Sequence, residues 1–465
     1  MRNRLRSLPS LVFVLSSASS LAANGDLDPT FGVGGTTTAG VSQAGLQLPV
    51  APVVMPDGRI LTCAPLGANG PSGTDFLVVR YLADGGLDTS FSFDGKVTVD
   101  FGGSNDQCNA IALQSDGKIV VVGSTNAAGN SDFAIARLNA DGTLDTSFGN
   151  GTGKVVVAFD NGGTNADIGG GIAIQPDGKL VAVGMANSAS NGDDFAIVRL
   201  LPDGTRDPAF NLTGRVIVGF DFPASSNKTD EASSVAVDPA GRILVGGVAQ
   251  TVGNGLDFAV ARLLPNGQLD ADFDGDGRAT IGFDLGASGN DLCYRMLLRH
   301  DGRIVLIGAA DTSSSSAVNN DMAVARLMPD GSPDVTFGIG GKTVLSFDLI
   351  PNGADGAFAG VEQSNGKLII GGIAQHNLSP LGMKGALARL NADGSLDGQF
   401  GTFGKVLLDF ERTSPSQQFV LGLALQGTQI IATGVVTIPG AGDPPPQDVY
   451  VARLQNDLIF ADGFD

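Results

Sequence analysis

The sequence predicts an all-β fold: one seven-bladed β-propeller of four-stranded antiparallel blades, closed by the N-terminal strand. Three markers predict it, and each recurs seven times. The first is an apolar stretch closing on an arginine, at Arg80, Arg137, Arg199, Arg262, Arg326, Arg389 and Arg453, spaced 57 to 64 residues apart. The second is a tight turn, at Asp57-Gly58, Asp116-Gly117, Asp177-Gly178, Ala240-Gly241, Asp301-Gly302, Asn365-Gly366 and Gly427-Thr428. The third is a turn of the form Asp-x-x-Phe, beginning at Asp28, Asp88, Asp145, Asp207, Asp270, Asp334 and Asp397. A period of this size, built from short β-type segments, is the signature of a repeat architecture.

The 169–220 unit shows how one blade is written. Residues 171–175 (Gly-Ile-Ala-Ile-Gln) make a short strand, and Pro176-Asp177-Gly178-Lys179 makes a tight turn with glycine where φ is positive. Residues 180–184 return antiparallel, a polar stretch follows, and 194–200 form the third strand. Pro202-Asp203-Gly204 and Asp207-Pro208-Ala209-Phe210 lead to a fourth strand over 215–220. Four Val/Ile-rich strands separated by turn chemistry cannot bury both faces alone; packing against like neighbours around an axis can.

The two ends complement each other. Leu27-Asp28-Pro29-Thr30-Phe31-Gly32 approaches a fourth strand, whereas 448–454 is a third strand with no fourth behind it. The segment near 34–40 is therefore expected to complete the last blade and remove its open edge.

The pattern Ala-x-x-x-Gln-x-Asp-Gly-Lys, then Asp-Phe-Ala-x-x-Arg-Leu-x-x-Asp-Gly-x-Leu-Asp-x-x-Phe-Gly, resembles the delta-60 repeat of bacterial secreted and surface proteins. The match extends over 27–454, with Ala240 replacing the turn aspartate in the fourth unit and the seventh unit lacking it. The resemblance implies a propeller and carries no general activity. The final residues, 458–465, are similar to short tails of exported bacterial proteins.

Composition agrees. There are 68 glycines, and only three of the 48 acidic residues are glutamate. Aspartate and glycine serve turns, whereas glutamate and lysine serve helices. Residues 1–23 read as a signal peptide, with Arg2, Arg4 and Arg6 ahead of a short apolar stretch and Ala22-Ala23 at the cleavage position. The expected layout is thus a signal peptide over 1–23, the propeller over 24–454 and a tail over 455–465. Secreted, periplasmic or cell-surface localisation follows. The net charge of −20 disfavours nucleic acid and anionic lipid, and the apolar stretch is too short to insert in a membrane. A monomer is expected, with a protein or polysaccharide partner outside the cytoplasm.

Few residues suggest chemistry. The recurrent arginines and the aspartates of the Asp-x-x-Phe turns read as structural Arg–carboxylate bonds, since a site is singular and a scaffold recurs. His300 and His376 lie in different blades and assemble no triad or zinc set. Asp272-Phe273-Asp274-Gly275-Asp276-Gly277 has the acid spacing of a calcium loop, but Phe283 stands at its twelfth position, so it reads as an ordinary turn. Asp106, Asp167, Asp230, Asp291 and Asp355, with Gln47 and Gln417, lie ten residues before the tight turns. They read as caps in preference to a cation-attracting ring at the channel mouth. Among Cys63, Cys108 and Cys293, only Cys63 and Cys108 lie in neighbouring units, and buried free thiols are the favoured state.

No catalytic, cofactor-binding or metal-binding residue is assigned, and no cofactor is expected. The favoured function is a non-catalytic interaction or surface-scaffold module. The alternatives are a binding module for sugar or another small polar ligand, and a propeller hydrolase or lactonase with a channel metal. The working face is expected on the variable loops, among them 124–131, 310–320, 374–385 and Pro444-Pro445-Pro446.

Overall fold

The computed structural model describes residues 23–41, 51–67, 73–102, 105–160, 162–188, 192–220, 228–251, 255–286, 289–313, 319–377, 382–409, 417–437 and 447–456. Nearly all of the 1–23 segment, the 457–465 part of the tail, Gln47 and Pro444-Pro445-Pro446 lie outside them.

Seven four-stranded antiparallel sheets are present, and no helix occurs among the described residues. Blade 3 runs Asp167–Ile174, Leu180–Ser188, Gly192–Leu200 and Arg215–Val218, in sequence order from inside to outside. Blades 1, 2, 4, 5 and 6 follow the same order. In blade 7 the fourth place is taken by Thr36–Thr38, which pairs antiparallel with the last strand through Thr36–Ala452, Thr37–Val451 and Thr38–Tyr450. The expected closure, three strands from one end and one from the other, is what the chain adopts.

The inner strands differ from expectation in one respect. In blade 3 the strand begins at Asp167, four residues before the sequence pattern suggests, and continues through a bulge at Gly170. Three consecutive glycines, Gly169 to Gly171, lie in this strand. They are a strand here because the neighbouring blades leave no room for side chains: a Cβ on Gly169 would lie 2.7 Å from the Gly123 carbonyl oxygen, and one on Gly170 would lie 2.9 Å from that of Ala232. The same bulge recurs at Asn109, Ser233, Tyr294, Phe358 and Leu421. A bulge bends the strand and re-aims one side chain. Here it places one residue from each of six blades around the channel.

The core lies between blades. Each apolar cluster takes one face of a blade and the opposing face of the next; one joins Val181, Val183, Phe195 and Ile197 of blade 3 to Ile243, Val245 and Ala261 of blade 4. Recurrent aromatic pairs link the third strand to the segment after the fourth: Phe76 with Phe101, Phe133 with Phe159, Phe195 with Phe220 and Phe258 with Phe283, at 5.1–5.2 Å between centroids. Such tilted or edge-on geometry suits aromatic quadrupoles.

The cysteine expectation is corrected. Cys63, in the second strand of blade 1, and Cys108, in the inner strand of blade 2, form a disulfide with Cα atoms 6.2 Å apart. Packing of successive blades brings the two strands together, which strand-by-strand reading does not show. Cys293 is free and buried, and burial pushes its thiol pKa up to about 12.

Candidate functional site

The recurrent arginines are scaffold. Each donates from Nε to the aspartate of its own Asp-x-x-Phe turn: Arg80 to Asp88 at 2.7 Å, Arg199 to Asp207 at 2.8 Å, Arg389 to Asp397 at 2.6 Å and Arg453 to Asp28 at 2.7 Å. Each guanidinium also lies over the phenylalanine of that turn, 4.5 Å from the Phe91 centroid and 4.9 Å from that of Phe31. A further N–H reaches across to the next blade, as from Arg137 to the Pro202 carbonyl and from Arg199 to that of Pro265. Arg389 uses the Asn456 side chain for this purpose, at 2.7 Å. Although burial pushes the Asp88 carboxyl up, hydrogen bonds from Ser90 and Arg59 and the charge of Arg80 hold it down, to about 2.

The five aspartates before the tight turns are caps. Their carboxylates accept the backbone N–H of a phenylalanine in the preceding blade: Asp106 from Phe101 at 2.6 Å, Asp167 from Phe159 at 2.6 Å, Asp230 from Phe220 at 2.7 Å, and Asp291 and Asp355 from Phe283 and Phe347 at 2.5 Å. All are buried between blades. In blade 7 the register puts Gln418, not Gln417, at this place, because its hairpin is one residue shorter.

Further acids crowd these caps. Asp75, Asp100 and Asp106 bring carboxylate oxygens within 4.8 Å of one another, close enough for hard-cation ligation. At the seam of blades 6 and 7 the corresponding residues are Lys384, Asp409 and Gln418, with Lys384 Nζ 2.8 Å from Asp409, so the fold does not depend on acidic charge there.

These caps set a pH dependence. Burial, then neighbouring carboxylates, raises the pKa of Asp167 and Asp355 to about 6 and of Asp291 to about 7. A carboxyl whose pKa is raised in the folded state is destabilising when ionised, so stability is gained as pH falls through 7 and 6 towards 4. The clamp carboxyls Asp28, Asp88, Asp145, Asp334 and Asp397 are lowered, and their contribution is lost below about pH 4. Melting temperature is therefore expected to rise from pH 8 to pH 5, at roughly 1 kcal/mol per titrating cap, and to fall below pH 4. Melts that weaken steadily from pH 8 to pH 5 would contradict this.

The remaining sequence candidates do not assemble. His300 is exposed at its turn, and His376 sits beside Asn377. The 272–277 stretch is an inter-strand turn in which Phe273 is buried beneath Arg262 and Asp276 pairs with Arg278 at 3.1 Å.

The channel is where the sevenfold pattern breaks. The bulge residues differ in six blades: Asn109, Gly170, Ser233, Tyr294, Phe358 and Leu421. Asn109 donates to the Gly169 carbonyl at 2.9 Å and the Ser233 hydroxyl to that of Cys293 at 3.4 Å, stitching inner strands together. Tyr294 and Phe358 instead pack on each other with centroids 4.9 Å apart. They border a cavity of about 270 Å³, and a second cavity of about 110 Å³ lies further along the inner strands. Arg295 lines both. Sequence reading missed Tyr294, Arg295 and Phe358; the available signal was that blade 5 reads Tyr-Arg where blades 3 and 4 read Gly-Gly and Ser-Ser.

Six segments of the chain, 56–91, 114–148, 175–210, 239–273, 300–337 and 363–400, match the family model described as "Domain of unknown function (DUF5122) beta-propeller". None of the curated proteins compared with the chain matches it. Among solved structures it is similar to Drosophila Plexin A in complex with Semaphorin 1b, at 9% identity and TM-score 0.44, over 93% of this chain and 88% of that one. It is similar to polysaccharide lyase Uly1, at 11% identity and TM-score 0.43, over 87% and 90% of the two chains. It is also similar to an α-L-arabinofuranosidase from Fusarium graminearum, at 10% identity and TM-score 0.44, over 88% and 92%. Likenesses at these TM-scores carry no role over to the chain. They nevertheless correct one expectation: propellers named as a lyase and a glycosidase exist, so the exclusion of an enzyme does not stand. Six matched repeats within seven four-stranded blades make the chain a β-propeller repeat protein.

Proposed function

We propose that this chain is an exported propeller of the delta-60 repeat type that binds a saccharide or another small polar ligand at the mouth of its central channel. The observation that carries the reading is the break in the repeat. Clamps, caps and turns recur from blade to blade, whereas the bulge positions around the channel differ and gather an aromatic pair beside a cavity. Concave sites with a few polar groups among apolar ones are the usual form of ligand sites. The Cys63–Cys108 bridge and the character of residues 1–23 support export, since disulfides persist outside the reducing cytosol.

The test is calorimetric titration of a panel of neutral and acidic oligosaccharides. A binder is expected, and Tyr294→Ala/Phe358→Ala should weaken it by at least tenfold, about 1.4 kcal/mol. Binding that survives this double substitution unchanged places the ligand elsewhere.

A further inference from the structure

The residue after the bulge is small in five blades, Ala110, Gly171, Ser234, Ala359 and Gly422, and Ala51 holds the same place in blade 1, counted back from the Val53–Leu61 pair. In blade 5 it is Arg295. The inner strands approach closely here; a Cβ on Gly422 would lie 2.4 Å from the Ala51 Cα. Small residues are what such a ring requires, and one arginine is what it does not.

Arg295 also differs from the clamp arginines of the fold. The seven clamp arginines each hold a carboxylate at 2.6–2.8 Å, and Arg299 holds Glu362 at 2.9 Å. The Arg295 guanidinium has no hydrogen bond or ion pair among the described residues. Glu231, at the start of the inner strand of blade 4, is an acid of this region; its carboxyl is raised by burial and by Asp193, and no arginine lowers it. A guanidinium remains charged under all ordinary conditions, and this one stands half-buried in the channel wall with no carboxylate paired to it. A scaffold role would supply the partner, as it does seven times elsewhere.

We infer that Arg295 is the counter-charge for a carboxylate on the channel's ligand, which makes that ligand acidic. The inference rests on the channel reading above and narrows it. A guanidinium presents a planar fork that matches a carboxylate with two parallel hydrogen bonds. Tyr294 and Phe358, beside it, offer apolar surface to the body that bears the carboxylate. The cavity of about 270 Å³ is below the usual drug-sized range and suits one residue or one chain end. A uronic acid unit has these properties, as does a small aromatic acid; the shared chemistry is a carboxylate on a body with an apolar face. In a chain of net charge −20, the overall field repels such a group, so binding it calls for a local counter-charge.

The test compares tri-galacturonate with its neutral methyl ester, and benzoate with benzyl alcohol, by calorimetry on the full chain. The wild-type protein should bind one acid at least thirtyfold more tightly than its neutral counterpart. Which acid does so separates the sugar from the aromatic source. Arg295→Gln should abolish that difference with the melting temperature in place, and Arg295→Lys should retain part of it. Equal binding of acid and neutral analogue by the wild-type protein overturns the inference and leaves the channel reading standing, a comparison that needs no variant to fold. If neither acid binds, the inference is overturned, and the oligosaccharide panel with Tyr294→Ala/Phe358→Ala decides the channel reading separately.

Discussion

Replacement of Arg199 by alanine is expected to lower the unfolding free energy by about 3–5 kcal/mol, the range for breaking a buried ion pair by removing one partner. Asp207, only 3% exposed in the intact protein, would lose its main partner. The bond to the Pro265 carbonyl in the next blade and the packing on Phe210 are lost with it. Arg199→Lys should fall between, because an ammonium keeps the charge but not the fork. Arg278→Ala supplies the contrast. Its partner Asp276 is 60% exposed, and exposed pairs contribute about 1 kcal/mol or less. Urea titrations measure all three. A midpoint for Arg199→Ala within error of the wild type would show that the clamps are not what joins the blades.

Loss of the Cys63–Cys108 bridge is the second large effect. The two cysteines are 45 residues apart, and opening a loop of that size costs about 4 kcal/mol through the entropy of the unfolded chain. Cys63→Ala/Cys108→Ala and reduction of the wild-type protein should give the same loss in denaturant titrations. Cys293→Ala should instead show a modest cavity cost insensitive to reductant, since that thiol is free and buried. An unchanged midpoint on reduction would rule the bridge out.

The fold was legible because the chain repeats its own evidence. Arg199 and Asp207 each have six counterparts at fixed spacing, so turn, strand and clamp could be recognised without any contact being known. Even the closure was legible, from Phe31 leading into a fourth strand without its first three and Arg453 in a third strand without its fourth. What was hidden depends on contacts between units. Cys63 and Cys108 face each other only once successive blades are stacked, and the capping role of Asp291 is completed by Phe283 of the preceding blade. Gln418 escaped because a hairpin one residue shorter shifts the count from the turn.

The channel was hidden for a different reason. A bulge leaves no mark in an alternating strand pattern, so Tyr294 and Arg295 read as two ordinary strand residues on opposite faces. With the bulge in place, both border the same cavity. Aligning the inner strands by register makes the exception visible, with small residues at six positions and an arginine at the seventh.

Hydrogen exchange on a ligand-bound sample tests the central claim most directly, which is that recurrent positions are scaffold and the channel is the site. With the tightest oligosaccharide or acid at saturation, added protection is expected in the inner strands Glu231–Val237, Asp291–Leu298 and Asp355–Glu362. The tight turns on the opposite ends of these blades should be unchanged. Protection confined to those turns or to the outer strands, with the inner strands of blades 4, 5 and 6 unaffected, would contradict the account.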